Sequence, residues 1–486
     1  MLNVREDVVT FDDVLLVPNY SSVLPKETLL NTKVTEKINI NIPLVSSAMD
    51  TVTESRLSIA LAQEGGIGII HRNMSIKNQS SEVNRVKRFK NGIITDLVTA
   101  DYDTKIRDLL YISEKYHFSD IPVIKKNILL GSVTLRDIRF AKDLEQPVST
   151  IMTSKKQLFT CPEGNKSEDL HALMCKNRIK KVFVVKSNEE LVGLVRLKDV
   201  QNNINNPLAC KDSNGRLLVG AAVGVSKDFE ARVNALIDAG ADLIVLDSAH
   251  GYSKSVLNCI RSIRSEYKNL QIIAGNIATG EAALALVQAG ANGVKVGIGP
   301  GSICTTRIVS GVGFPQLSAI SDVAKALKGL NIPIMADGGI IYSGDVCKAI
   351  ASGVSTVMIG SLFAGTDEAP GKTELFQGRS YKSYRGMGSL GVMSQGASDR
   401  YFQTEVEVKK LVPEGVEGCV HYKGKLSSVI HQILGGLRSG MGYVGCKTIS
   451  DMQIKTKFVR VSSACFNENH VHNILVTKEP PNYPVK

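Results

Sequence analysis

The sequence contains no C-x-x-C pair, no run of 18 apolar residues and no apolar stretch at its N-terminus, and each absence removes a class of function. Its nine cysteines are odd in number and widely spaced, which argues against a disulfide framework and a zinc site and for a reducing compartment. Without a long apolar run, no membrane-spanning helix and no membrane partner are expected. The opening "MLNVREDVVTFDD" carries charges where a signal peptide needs an apolar core, so a soluble, cytoplasmic protein is expected. The formal charge of +11 suits anionic ligands, yet the densest basic stretch, "NRVKRFK" (84–90), is short. A solvated basic surface is expected there, and a nucleic-acid partner is not. No G-x-G-x-x-G opens a helix with an acidic residue about 20 positions further on, so a dinucleotide in a Rossmann site is not expected either.

What is present is a recurring unit. Short apolar runs end in small or functional residues at "IPLVSSAMD" (42–50), "GIGIIH" (66–71), "LLVGAAVG" (217–224) and "DLIVLDSAHG" (242–251). Four more follow at "LQIIAGNIAT" (270–279), "GVKVGIG" (293–299), "IPIMADGG" (332–339) and "TVMIGSLFAG" (356–365). Between most of them lie helical patterns such as "SKDFEARVNALIDAG" and "TGEAALALVQAG", apolar at i, i+3 and i+4 and closed by glycine. Continuously apolar strands alternating with helices imply a parallel sheet covered on its faces. Eight such units imply an α/β fold, a (β/α)8 TIM barrel.

One spacing is anomalous: 146 residues separate His71 from Leu217. The excess contains an internal repeat, "DIPVIKKNILLGSVTLRDI" (120–138) and "KVFVVKSNEELVGLVRLKDV" (181–200), with Gly131 matching Gly193 and Asp137 matching Asp199. Neither copy buries its apolar face alone, so the two are expected to pack as one small domain. The expected division is barrel over 1–90, inserted domain over 91–204, and barrel again over 205–486. The repeats resemble a tandem pair of CBS motifs. That likeness implies an adenine or guanine nucleotide as partner, through Thr134 and Asp137, although Arg196 replaces the hydroxyl residue in the second copy; a purely structural insert is the alternative.

In barrels of this kind chemistry sits at the C-terminal ends of the strands, often with a phosphate after strands 7 and 8. Those ends carry Ser47, Met49 and Asp50; Asp247, Ser248 and His250; Asn276; Asp337, Gly338 and Gly339; and Gly360 with Ser361. After the sixth run comes "GIGPGSICTTRIVSGVG" (297–313), five glycines around Cys304. Most cysteines are inert small hydrophobes. Cys304 differs in having mobile glycine surroundings, the hydroxyls of Thr305 and Thr306, and a place on the catalytic face, which favour a reactive thiolate. His250 is the candidate base, or else a packing residue. The glycine pairs offer bare N–H groups to a phosphate, and Asp337 suits sugar hydroxyls, which together point to a nucleoside monophosphate. The segment 381–424 is long, glycine-rich and without a clear period, and reads as a mobile flap.

Taken together, "SSAMDTVTE", "DSAHG", "GPGSICTTRIVSGVG", "ADGGIIYSGD", "YRGMGSLG", "DRYFQ" and "LVPEGVEG" resemble the bacterial inosine-5′-monophosphate (IMP) dehydrogenase family over nearly the whole chain. The resemblance implies oxidation of IMP to XMP with NAD, the committed step of guanine nucleotide synthesis. In it, Cys304 adds to purine C2, hydride leaves for NAD, and the thioimidate is hydrolysed. A sulfur adduct makes C2 tetrahedral and electron-rich, dividing one hard step into two easier ones. By the same resemblance Ser47, Met49, Asn276, Ser302, Asp337, Gly338, Gly339, Gly360, Ser361, Tyr384, Gly386, Met387, Gly388 and Glu414 hold IMP. Asp247, Ser248, Gly297 and Gly299 lie on the cofactor side. Arg400 and Tyr401, helped by Thr306, activate water, either with Arg400 as base or with Arg400 orienting water while Thr306 or Tyr401 relays the proton. A potassium ion is implied on the carbonyls of Gly299, Gly301 and Cys304, completed by Glu468, Asn469 and His470 from a neighbouring subunit of a homotetramer. The chain departs from the family pattern at Phe314 and in the tail "ACFNENH". The rival is GMP reductase, which shares the barrel and the cysteine loop but is expected to lack the insert and the "DRY" segment.

Overall fold

The computed structural model describes residues 4–5, 7–89, 97–110, 120–141, 143–163, 165, 167–226, 228–395, 397–401, 403 and 406–483. They fall into two compact units: Met1–Arg88 with Leu208–Asp212 and Leu217–Lys486, and Phe89–Pro207 with Ser213–Arg216.

The first unit is built on a closed parallel barrel. Its strands are β1 (Leu44–Ser46), β2 (Ile67–Ile70), β3 (Val219–Val223), β4 (Leu243–Asp247), β5 (Gln271–Ile277), β6 (Gly293–Val296), β7 (Ile334–Asp337) and β8 (Thr356–Ile359). The eight apolar runs of the sequence supply these eight strands. β2 pairs with β3 directly, Gly68 opposite Val219 and Ile70 opposite Ala221, although nearly 150 residues lie between them. The residues inside, among them Val45, Ile67, Ile69, Leu243, Val245, Ile273, Met335 and Met358, are almost fully buried. Each contributes roughly 1.5–3 kcal/mol relative to exposure. A hairpin of Thr32–Lys33 with Asn39–Ile40 adds Val34 and Ile40 to the same cluster.

The helices start and stop where the sequence marks them. Helix Gly280–Ala289 is capped by the Thr279 hydroxyl, which accepts from the Ala282 N–H, and ends at Gly290 with φ +115°.

The segment after β8 departs from the expectation of an irregular flap. Thr373–Phe376, Arg379–Arg385 and Glu417–His421 form a three-stranded antiparallel sheet, and short helical turns cover Leu390–Ser394 and Ala397–Tyr401. The pairing joins Tyr381 to His421, 40 residues apart, so no local period announces it.

The second unit holds two small sheets. One orders Ala100–Asp101, Asp120–Lys125, Ile128–Thr134 and Thr153–Ser154; the other Thr160–Pro162, Lys181–Val185 and Leu191–Arg196. Each sequence repeat is a hairpin followed by a helix, Leu135–Arg139 and Leu197–Asn205. Leu129, Phe183 and Leu194, drawn from both repeats, share one buried cluster. Thr134 and Asp137 form a capping box: the carboxylate accepts from the Thr134 N–H (2.8 Å) and hydroxyl (2.7 Å).

Candidate active site

The C-terminal ends of the strands and the segment after β8 enclose one cleft. Its walls include Ser47 and Met49 after β1, Asp247 at the end of β4, Asn276 in β5, residues 297–304 and Thr306 after β6, Asp337–Gly339 at β7, and Gly360 and Ser361 after β8. Tyr384, Gly386, Met387, Gly388, Arg400, Tyr401 and Glu414 close it from the other side. Nearly every residue singled out from the sequence therefore meets in this one space.

The cysteine loop is held rather than loose. Arg307 donates from Nε to the carbonyl of Ile298 (3.2 Å) and from Nη2 to that of Phe314 (2.5 Å), tying the two ends of the loop together. Its aliphatic stem runs so close to Gly299 (φ +77°) and Gly313 that a Cβ on either would sit 2.5 Å from Arg307 Cγ. Gly299 and Gly313 leave room for this clamp. A second anchor comes from residues 414–416. The Thr305 N–H donates to the Glu414 carbonyl (3.0 Å), and the Val416 N–H to that of Ile303 (3.1 Å). Between these anchors Cys304, partly exposed, directs its thiol at the Thr306 hydroxyl, 3.1 Å away.

Arg400 and Tyr401 enter the same cleft. Arg400 is ion-paired with Asp247, and its carbonyl accepts from the Ala249 N–H (3.2 Å). Burial pushes the Arg400 guanidinium below its ordinary pKa, and the positive Arg72 pushes the same way against the opposing pull of Tyr401. Burial raises the Tyr401 phenol, an effect that Arg400 partly offsets. The Tyr401 ring lies against Gly388, where a Cβ would come within 2.6 Å of its Cζ. Tyr384, buried, is pushed up to about 12; its hydroxyl contacts Met49 Sδ at 3.7 Å.

Sequence reasoning missed Lys295, at the centre of β6. This lysine is 1% exposed. Its ammonium bridges Asp337 (2.6 Å) and Asp247 (2.9 Å) and donates to the Asn276 side-chain carbonyl. Asn276 in turn donates to Asp337 (2.9 Å) and to the Gly297 carbonyl (2.8 Å). A lysine inside the otherwise apolar "GVKVGIG" was the available signal, since a charge is buried there only when paired.

Other expected residues lie elsewhere. His250 is exposed, with its N–H donating to the Ser248 hydroxyl (3.1 Å), and its side chain does not line the cleft. The candidate base is thereby corrected. Ser248 is buried behind the wall, its hydroxyl spent on the backbone of His250. Asp50 pairs with Arg385 (2.5 Å) and Asn73 (2.8 Å), a bond that holds the segment after β8 to the barrel. Glu468, Asn469 and His470 sit at the end of helix Ser463–Asn469, where His470 packs on Tyr342 and Tyr483. Among the described residues no three His, Cys, Asp or Glu side chains converge as a metal cluster, and no helix is long and apolar enough to cross a membrane.

The chain matches known proteins over nearly its whole length. Over 484 residues the chain is 54% identical to the inosine-5′-monophosphate dehydrogenase of Escherichia coli K12, covering 99% of both. It is 53% identical to that of Aquifex aeolicus over 98% of this chain and 97% of the relative. A crystal structure of GMP reductase from Trypanosoma brucei in complex with guanosine 5′-monophosphate superposes with a TM-score of 0.83 at 40% identity, covering 97% of this chain and 99% of that one. Because that reductase matches along almost the full length, the inserted unit does not separate the two activities, contrary to the expectation from sequence. Residues 8–472 match the IMP dehydrogenase / GMP reductase domain. A barrel carrying Cys304 and Thr306 in a clamped loop, matched over its whole length in this way, belongs to the IMP dehydrogenase/GMP reductase family.

Proposed function

We propose that the protein oxidises IMP to XMP with NAD, through a thioimidate on Cys304. The observation that carries this reading is the shared cleft of Cys304, Thr306, Arg400 and Tyr401, in a chain more similar to named dehydrogenases (54%) than to the superposed reductase (40%). Cys304 adds to C2 as a thiolate, its proton relayed through the Thr306 hydroxyl to solvent. The C2 hydride leaves with its electron pair to NAD, giving NADH and the thioimidate. Water then adds at C2, the C–S bond breaks, and XMP departs while the thiol recovers its proton.

Ser302, Gly338, Gly339, Gly360, Ser361 and Tyr384 suit the phosphate, because the glycines leave bare backbone at the wall. A Cβ at Gly360 would lie 2.9 Å from the Tyr384 hydroxyl and 3.4 Å from Ser47 Oγ, so these groups converge on one spot. Asp337, held by Lys295 and Asn276, suits the ribose hydroxyls of IMP; Ser47, Met49, Gly386, Met387, Gly388 and Glu414 surround the base. Asp247, with Gly297 and Gly299, faces the nicotinamide ribose.

Arg400 occupies Asp247 in this structure, and the same carboxylate cannot serve the cofactor at that moment. The segment 397–401 and the nicotinamide ribose are therefore alternatives, the first needed for hydrolysis and the second for hydride transfer. Burial brings Arg400 closer to proton exchange than a free guanidinium, which suits it to activate water with Tyr401.

Potassium fits the loop in kind. Gly299, Gly301 and Cys304 place three carbonyls within six residues, with the turn fixed by the Cys304 N–H on the Gly301 carbonyl (3.0 Å). Glu468, Asn469 and His470 would complete the shell from a neighbouring copy of a homotetramer, and Ile308, 88% exposed beside the loop, offers apolar surface for one. We also place in this reading a cytoplasmic location and a CBS-type inserted domain open to an adenine or guanine nucleotide. The capping box of Thr134 with Asp137 favours a structural role for those two residues.

Comparing NADH appearance from IMP plus NAD with NADPH consumption on GMP tests the reading. The first is expected. Turnover only of GMP with NADPH would assign the reductase activity instead.

A further inference from the structure

Arg72 follows β2 by two residues, and Asp399 immediately precedes Arg400. Arg72 Nη2 lies 2.8 Å from Asp399 Oδ1, and the two side chains are 8% and 4% exposed. The pair fills the space at the end of β3. A Cβ on Gly224 would come within 2.6 Å of Asp399 Oδ2 and 2.7 Å of Arg72 Cζ. One residue on, the Ala249 N–H after β4 holds the Arg400 carbonyl (3.2 Å).

We propose that Arg72 and Asp399 form a buried latch that docks residues 397–401 in the cleft, making both positioning residues for thioimidate hydrolysis. The proposal rests on the exchange between this segment and the cofactor described above. Neither residue lines the cleft, so they act through Arg400 and Tyr401. Removing a carboxylate and a guanidinium from water costs nearly as much as their attraction returns, and here Asp399 Oδ2 and Arg72 Nε have no hydrogen-bond partner among the described residues. An intact pair thus adds direction more than stability, which leaves docking reversible. Losing one partner is different: the docked state then buries an unpaired charge, whereas the undocked state returns that charge to water. The damage falls on docking alone. Arg72 also helps lower the Arg400 guanidinium, so docking and water activation share one residue.

The test is rapid mixing of the full-length protein with IMP and NAD. Asp399→Asn and Gly224→Ala are expected to keep the NADH burst but to lose roughly ten-fold in steady-state turnover. Inhibition by excess NAD, which competes with the docked segment, should set in at roughly ten-fold lower NAD. Turnover and NAD affinity moving in opposite directions is the mark of a latch, because a damaged fold would weaken both. Arg72→Lys should retain more turnover than Arg72→Met, and the double variant Arg72→Met/Asp399→Met should recover part of what either single change loses. Wild-type turnover in Asp399→Asn, or a joint fall of turnover and NAD affinity in both Asp399→Asn and Gly224→Ala, overturns the latch. Loss of the burst in Arg400→Ala overturns the exchange reading itself.

Discussion

Cys304 is placed by its loop at the cleft rather than in the core. Its thiol faces Thr306 at 3.1 Å and opens into the cleft, whereas Cys347 is buried and its thiol pushed up to about 12. Cys304→Ala should therefore bind IMP, measured by calorimetry, while forming no NADH; near-normal turnover would exclude a covalent path. In the proposed reaction, Arg400 sets a pH dependence. Its pKa is lowered, so its neutral fraction grows as pH rises toward that pKa. Steady-state turnover limited by hydrolysis should climb with pH in the alkaline range while the burst does not, and Arg400→Ala should flatten the climb and leave the thioimidate on Cys304, visible by mass spectrometry. Lys295 makes the opposite kind of contribution, to integrity. Lys295→Met leaves Asp247 and Asp337 buried without their cation, and it should lower stability by about 3–5 kcal/mol, read from denaturant unfolding.

At the scale of elements, β2 and β3 lie side by side in the barrel, and Lys87 Nζ reaches the Leu217 carbonyl at 3.0 Å. The chain thus leaves and re-enters the barrel at neighbouring points, and each unit has its own core. Replacing residues 89–207 by a short glycine-serine linker should yield a folded protein with turnover within about two-fold, and no response to ATP or GTP. A folded but inactive product would make the insert part of the catalytic unit. The repeat and the barrel strands were legible because each depends on local apolar patterning. The sheet after β8 was not: Thr373–Phe376 is exposed throughout, and its partner strands meet across a long loop, so the chain looks irregular until it is folded.

In the assembled protein, half of the proposed potassium shell is missing from a single loop if Glu468, Asn469 and His470 must come from another copy. Light scattering should then give about four times 52.5 kDa, and replacing potassium by a bulky organic cation should slow NADH formation without dissociating the assembly. Monomers of full activity would refute the shared shell. Chains named for either activity match this one along nearly the full length, so the architecture is shared by both.

Local pattern alone determined the parallel barrel, the interruption after its second strand, the cysteine loop and the strand-end side of the cleft, while the side from Tyr384 to Glu414 was legible only through the family resemblance. The locally legible parts rest on features within a few residues of one another: continuous apolar runs, helix stops and small residues at strand ends. The tertiary structure decided what long-range contact decides. It turned His250 outward, clamped the loop with Arg307, and set the charge of Lys295 between Asp247 and Asp337. It also brought Asp399 to Arg72, 327 residues away, because a buried charge is stable only beside its counter-charge and no local pattern states which one the fold will bring.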